Sequence, residues 1–491
     1  MNSPQSFSSI QLSQLLEGVA QVTPEQDCLI TGITDDSRSL QPGDLFIARS
    51  GSQDDGARYV ASALERGAAA LLVEDPQAIP ESCGIPALVV SDLRSHLSKI
   101  AGRFYGEPAQ QLRLIGITGT NGKTSSCTLI AQMLENAAVI GTRGYGPLAT
   151  MKPIWQTTPG AVRLAQIMRE LIDQGVETVA MEVSSHALDQ QRVDGLQFDT
   201  AVYTGIGHDH LDYHGDMESY AAAKRKLFQR DGLQSALVNI SDELGVAIAD
   251  ELRDRCGLLT YGTVQADLSV RVLSTTLEGM LIELRLRDET CRLKTPLIGE
   301  FNALNLLVVA GILLLTGATS EEIVNRLTRA VPVPGRMEKI NEPGPTVAVA
   351  YAHHPDGLRS ALAALRGTTA NGQGRLWCLF GCGGERDQDK RAEMGEIASA
   401  MADVVVLTDD NPRHESPLAI VDDVVAGCAD AAELHRIHDR RQAITFVLQQ
   451  AANDDLVLIA GKGDEPDQLY AGGRWRFDDR RIARMAMGRR R

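Results

Sequence analysis

No apolar run in this 491-residue chain approaches the ~20 residues needed to cross a bilayer. Membrane insertion is therefore not expected. Positive charge is also in deficit: 48 Lys and Arg against 64 Asp and Glu leave a net charge of −16. A chain of that sign gains nothing from a polyanion, so no nucleic-acid partner is expected. Any anionic ligand must instead meet local cations or backbone N–H groups. Metal-type cysteine pairs are missing as well. Cys28, Cys83, Cys127, Cys256, Cys291, Cys378, Cys382 and Cys428 are scattered, with no double CxxC pattern. Cys378 and Cys382 lie in an apolar segment running into a glycine loop and read as buried thiols. The N-terminus has no basic start followed by an apolar stretch, so no secretory leader is expected and the compartment reads as cytoplasmic. Low-complexity tracts and short internal repeats are absent too.

What is present is the balance of an ordinary globular protein, 43% hydrophobic and 23% charged. The length is too great for one core, and the α/β pattern falls into three regions. Residues 1–110 carry short strands (Cys28–Thr31, Asp44–Ala48, Ala69–Val73, Ala87–Val90) between helical patterns. A helix ending at Phe104-Tyr105 before Gly106-Glu107-Pro108 marks the boundary. Residues 111–333 open on the strand Leu112–Thr118 and continue as alternating strands and helices, the signature of a parallel sheet. Residues 268–298 alternate polar and apolar and suggest antiparallel strands, and Leu306–Leu315 reads as a core helix. After Val331-Pro332-Val333-Pro334-Gly335 the strand–helix rhythm restarts and fills residues 334–491.

The strongest local signal follows Leu112–Thr118. Gly119-Thr120-Asn121-Gly122-Lys123-Thr124 runs into a helix over Ser125–Asn136. Glycines let such a loop curl its N–H groups toward phosphate oxygens, and the helix adds its N-terminal dipole. Lys123 would neutralise the β- and γ-phosphates, and the Thr124 hydroxyl would bind Mg²⁺. The strict pattern places glycine at 117, where this chain has Ile117.

Thr118–Thr124 (TGTNGKT) resembles the phosphate loops of the Mur ligases and of their relative, folylpolyglutamate synthetase. Met181–Val193 (MEVSSHALDQQRV), Asp209–Gly215 (DHLDYHG), Asp410–Arg413 (DNPR) and Asp36-Ser37-Arg38 extend the resemblance to the Mur ligases over essentially the whole chain. It implies an α/β fold of three domains: an N-terminal UDP-sugar domain, a central P-loop ATPase domain on a parallel sheet, and a C-terminal Rossmann-like ligase domain. It also implies the cofactors ATP and Mg²⁺, a monomer, and a reaction in cytoplasmic peptidoglycan precursor synthesis. In that reaction a carboxylate is phosphorylated by ATP and an amine attacks the acyl phosphate. The motifs are most similar to the branch that adds meso-diaminopimelate to UDP-N-acetylmuramoyl-L-alanyl-D-glutamate.

The residues that the resemblance implies can be named. Thr118, Gly119, Thr120, Asn121, Gly122, Lys123, Thr124, Asn305 and Arg336 would hold ATP. Thr124, Glu182, His210 and Lys224, the last as a carbamate, would hold the metal. Lys123, His210 and Lys224 would be the catalytic set, although Lys226 competes with Lys224 by pattern. Asp35, Ser37, Ser52 and Gln53 would face the uridine end. Thr157, Thr158, Ser184, Gln190 and Arg192 would hold the muramoyl dipeptide. Arg391, Asp410, Asn411, Pro412, Arg413, Gly461 and Glu465 would take the amino acid, with Arg413 the cation for the distal carboxylate of diaminopimelate.

The chain departs from the family pattern at several of these motifs. Gly205 and His208 replace an asparagine and an arginine, Gln156 an asparagine, and His354 a threonine. Ala350 stands where an aspartate would meet the ATP ribose, and Asp464 where a histidine precedes Glu465. Each change removes or alters a polar contact. Ala350 is expected to weaken ATP binding, and Asp464 to crowd the amino-acid site with negative charge. These departures leave open a diverged relative with another acceptor, or a nucleotide-binding protein with weak or lost turnover.

Overall fold

The computed structural model describes residues 9–49, 55–368, 374–428 and 433–488. The chain folds into two compact units that alternate along the sequence. The first holds residues 1–116, 136–200 and 229–234; the second holds 117–135, 201–228 and 235–491. Among the described residues no helix is long and apolar enough to cross a membrane.

In the first unit, Gly32–Thr34, Asp44–Ala48, Ala70–Val73 and Ala87–Val89 form a sheet that is parallel throughout. The helix Leu93–Phe104 buries Leu93, Leu97, Ile100, Ala101 and Phe104, one stripe at helical spacing. That stripe joins Ile33, Leu45, Ile47 and Leu72 and the buried face of the helix Ala161–Asp173 in one core. Thr178–Glu182, wholly buried, runs parallel to Ala137–Gly141. A strand covered on both faces cannot alternate polar and apolar residues, which is why this segment reads as one apolar run ending in Glu182.

In the second unit, Ser235–Asn239 pairs in parallel with Gly257–Tyr261. Leu268–Thr276, Gly279–Leu286 and Glu289–Thr295 follow as the expected antiparallel meander. The expected core helix spans Glu300–Leu315 and is buried on nearly every side. A six-stranded sheet takes the order Arg336–Ile340, Thr346–Ala350, Leu456–Ala460, Leu376–Phe380, Val404–Leu407, Glu433–Arg436. Only the Arg336–Ile340 edge is antiparallel. Residues alternate strictly between its two faces. Ala348, Ala350, Cys378, Phe380, Val405 and Leu458 enter one core; Val347, Val349, Trp377, Leu379, Val406 and Ile459 enter the other. Helices cover both faces, a doubly wound layering that puts ligands at the carboxyl ends of the parallel strands. Cys378 and Cys382 are buried free thiols, as the apolar segment implied.

One ion pair in this sheet is fully desolvated. Arg440 donates from Nε and Nη2 to the two carboxylate oxygens of Asp479 at 2.8 and 2.7 Å, and Nη2 also reaches the Ala460 carbonyl at 2.8 Å. Both side chains are 0% exposed. Arg440→Ala strands a buried carboxylate and should cost about 3–5 kcal/mol, read from denaturant unfolding of the second unit. The double variant R440M/D479L should recover most of that loss.

Candidate active site

The phosphate loop lies in the second unit, between the end of the strand Arg113–Thr118 and the helix Lys123–Met133. Gly119 has φ +148°, and a Cβ there would lie 1.9 Å from Thr204 Oγ1 and 3.0 Å from the Gly205 carbonyl. Gly122 has φ +83° and packs against Asn305 Oδ1. The glycine missing at 117 is thus supplied at 119, and Ile117 stays a fully buried strand residue. Lys123 Nζ folds back over the loop and donates to the carbonyls of Gly119 and Thr120 at 2.8 and 2.9 Å. Asn305 lies against this loop, its Oδ1 accepting from Ser126 Oγ at 3.4 Å.

The segment after Thr200–Tyr203 braces the loop. Thr204 Oγ1 donates to the Asn121 carbonyl at 2.5 Å, and Thr120 N–H donates to the Gly205 carbonyl at 2.8 Å. Gly205 has φ +124°, a conformation that suits glycine rather than the family's asparagine. His208 is exposed. Thr120 Oγ1 accepts from Gly207 N–H at 2.9 Å and meets the Tyr220 hydroxyl at 3.0 Å. Lys224 Nζ lies 4.1 Å from the centre of the Tyr220 ring. Lys224 is buried and makes no ion pair among the described residues, whereas Lys226 is exposed. Burial first, then the charge of Lys123, holds the Lys224 amine well below its ordinary proton affinity. His210 has φ +57°, and its Nε2 lies 3.5 Å from Asp209 Oδ2. Burial pushes the Asp209 carboxyl up, but His210, His353, His354 and Lys390 outweigh it and hold that carboxyl well below the usual range.

The residues expected around the amino acid also gather in this unit. Asp410 is buried, and its Oδ2 has no hydrogen-bond partner among the described residues. Gly461 leaves room for it, since a Cβ there would be 2.5 Å from that oxygen. Burial raises the Asp410 carboxyl, and Lys462 and Arg440 oppose the rise. Asn411 accepts from Lys462 Nζ at 3.1 Å and donates to Glu465 Oε2 at 3.0 Å. After Pro412, Arg413 has φ +54° and donates to the Gly384 carbonyl at 2.7 Å. It makes no ion pair among the described residues. Arg391 differs. It is fully buried and forks onto Glu415 at 2.6 and 2.8 Å, with Asp423 at 2.8 Å. Its guanidinium is thus engaged behind the Asp410–Arg413 loop rather than open to a ligand. The second cation beside Arg413 is Arg386, which the sequence reading missed: a Cβ on Gly383 would meet Arg413 Nη1 at 3.2 Å and Arg386 Cγ at 3.7 Å. Its signal was available in Gly383-Gly384-Glu385-Arg386, a glycine turn opening on a cation.

Two departures take on new meaning. Asp464 turns to Arg336, with Oδ1 3.4 Å from Nη1, and the Arg336 guanidinium stacks 4.1 Å from the centre of the Tyr351 ring. Glu465 pairs instead with Lys462 at 3.0 Å. The two carboxylates diverge, so the crowding expected from Asp464 does not arise. Ala350 ends its strand inside an apolar cluster, and its methyl side chain offers no polar contact.

The first unit assembles the residues expected around the dipeptide. Thr158 Oγ1 donates to the Glu182 carbonyl at 2.8 Å and accepts from Ser184 N–H at 3.0 Å. Arg192 donates to the Thr158 carbonyl at 2.8 Å and to Gln190 Oε1 at 2.6 Å. Thr157 meets Thr142 at 3.0 Å, and Thr142 also donates to both Glu182 carboxylate oxygens, at 2.9 and 3.2 Å. Asp35 pairs with Arg49 at 3.1 Å and lies 3.9 Å from a Cβ placed on Gly160. Ser37 is buried. Gln156 is exposed, and Ser52 and Gln53 lie outside the described residues.

Three family models match the chain: the Mur ligase family catalytic domain over residues 29–105, the Mur ligase middle domain over 117–313, and the Mur ligase glutamate ligase domain over 335–463. The UDP-N-acetylmuramoyl-L-alanyl-D-glutamate–2,6-diaminopimelate ligase of Coxiella burnetii is 43% identical over 488 residues, 97% of this chain and 99% of that protein. This chain belongs to the Mur ligase family. The Xylella fastidiosa protein of the same name is 42% identical over 490 residues, covering 98% of this chain and 97% of its own length. A solved structure of a ligase of that name superposes with a TM-score of 0.70 at 33% identity, covering 98% of this chain and 99% of its own. Mur ligases are ATP-dependent ligases that use Mg²⁺, and this chain shares their three-domain α/β architecture. The donors here fit such a load. Buried Thr118 Oγ1 has no hydrogen-bond partner among the described residues, and hydroxyl and carboxylate oxygens suit Mg²⁺. Gly119→Ala should clash with Thr204 and weaken ADP binding by about tenfold or more, read by calorimetry.

Proposed function

We propose that this chain is an ATP-dependent ligase joining meso-diaminopimelate to the γ-carboxylate of D-glutamate in UDP-N-acetylmuramoyl-L-alanyl-D-glutamate. The observation that carries the acceptor is Arg413. It is a half-buried cation with no carboxylate partner among the described residues, next to Arg386 and to the buried Asp410. That combination suits an amino-carboxylate: cations for the carboxylate, an acidic group for the ammonium. Arg391 takes a supporting role in this reading, holding Glu415 so that the loop carrying Arg413 keeps its shape.

The domains divide as 1–110 for the UDP-sugar, 111–333 for ATP and 334–491 for the amino acid. Lys123 and the loop N–H groups bind the nucleotide phosphates, with Arg336 at the hinge before the third domain. Thr124, His210 and carbamylated Lys224 hold Mg²⁺, and Glu182 is kept as a further ligand on the strength of the resemblance. When bound, Mg²⁺ screens the repulsion between phosphate and carboxylate oxygens. Thr157, Thr158, Ser184, Gln190 and Arg192 position the dipeptide, and Asp35 and Ser37 the uridine end. The protein works as a cytoplasmic monomer in peptidoglycan precursor synthesis. A second reading, another acceptor or weakened turnover, is favoured by one observation: Ala350 gives the ribose no polar partner.

Incubation with ATP, Mg²⁺ and the UDP-muramoyl dipeptide, with each amino acid offered separately, tests this directly. Phosphate release and product mass should appear with diaminopimelate. Product with lysine instead would overturn the acceptor, and no product with any amino acid despite ADP binding would overturn the ligase reading. Lys224→Ala should abolish turnover, while Lys226→Ala should remain active. A Lys224→Ala variant of near-normal activity would remove the carbamate role.

A further inference from the structure

His354 occupies a position where the family pattern has threonine, and it does two jobs. Its Nδ1 accepts from Gly357 N–H at 3.2 Å and so caps the helix Pro355–Arg366. An accepting Nδ1 leaves the ring hydrogen on Nε2 in the neutral tautomer. That N–H donates to Asn121 Oδ1 of the phosphate loop at 2.8 Å. The ring is 3% exposed, and a Cβ on Gly357 would already lie 3.1 Å from its Cε1 and Nε2. Asp356, in the first turn of the same helix, makes a separate approach beside that loop. A Cβ on Gly207 would be 3.0 Å from Asp356 Oδ2 and 3.8 Å from Thr120 Cγ2. Threonine can cap the helix with its hydroxyl, but its short side chain does not extend as far as the imidazole Nε2 that meets Asn121.

We propose that His354 is a positioning residue for the nucleotide, docking the start of the Pro355–Arg366 helix on Asn121 and holding the phosphate loop in shape before ATP arrives. A loop ordered in advance spends less binding energy on its own ordering. This docking offsets the ribose contact that Ala350 lacks, and it acts on ATP affinity more than on the chemical step. The inference rests on the reading of the loop as the ATP site.

The test compares wild type, H354T, N121A and H354T/N121A. ADP affinity is measured by calorimetry, kcat and KM for ATP by phosphate release, and melting temperature alongside. Threonine keeps the cap and removes only the bridge. H354T should therefore raise the ADP Kd and the KM for ATP about fivefold, the scale of one neutral hydrogen bond, with a smaller change in kcat. H354Q, whose amide N–H can reach Asn121 Oδ1, should recover part of the loss. In the double variant the two effects should not add, because both remove the same bond. Wild-type ADP affinity in H354T, additive effects in the cycle, or a loss confined to kcat would overturn the inference. If H354T fails to fold, the same comparison is made with H354Q and N121A. Should wild type itself bind no ADP, the ATP-site reading fails, and this inference with it.

Discussion

The approach of the phosphate-loop backbone to Thr204 is the constraint on which the site depends. Only a residue without a Cβ fits at 119, because Thr204 Oγ1 occupies the space a side chain would need. The same hydroxyl bonds the Asn121 carbonyl, and the Thr204 carbonyl is held in turn by Asn239 Nδ2 at 3.0 Å. The loop is therefore shaped from outside, by the exit of a neighbouring strand, rather than by its own composition. Thr120 passes that shape on to Tyr220, and Tyr220 covers Lys224. A buried lysine without an ion pair is costly to leave charged. Its burial follows from the packing that fixes the loop, so nucleotide binding and amine reactivity share one scaffold.

The amino-acid side works by a different balance. Asp410, Lys462, Arg440, Asp479, Arg391 and Asn411 are all nearly or fully desolvated. Lys462, Arg440 and Arg391 are engaged with carboxylates, while Asp410 Oδ2 and Arg391 Nε have no hydrogen-bond partner among the described residues. Low local dielectric strengthens satisfied bonds and penalises unsatisfied ones. The network is consequently rigid, and its selectivity resides in the groups that the protein itself leaves uncompensated.

Much of this was legible in the chain because it follows from backbone demands. Strand ends such as Asp44–Ala48 and Leu456–Ala460 coincide with the apolar runs. The phosphate-loop helix starts earlier than its apolar pattern, at Lys123, because Gly122 in the left-handed region ends the turn there. What was not legible is pairing across long sequence separation. Arg336 and Asp464 are 128 positions apart, and nothing local says that Asp464 turns from its neighbour Glu465 toward a stacked guanidinium. Arg391 and Arg386 are likewise equivalent by spacing. Only the location of Glu415 and Asp423 shows which one is consumed. Burial separates Lys224 from Lys226 in the same way, since two positions on a helix point to different environments.

The alternation of the two units along the chain carries a further consequence. Neither unit is one continuous stretch: the chain changes unit after residues 116, 135, 200, 228 and 234. During synthesis the first unit cannot close until residue 234 has emerged, by which time two segments of the second are already waiting. The nascent chain must therefore carry unfinished apolar surface through nearly half its length, exposed to chaperones and to neighbouring ribosomes. No single cut releases either unit whole.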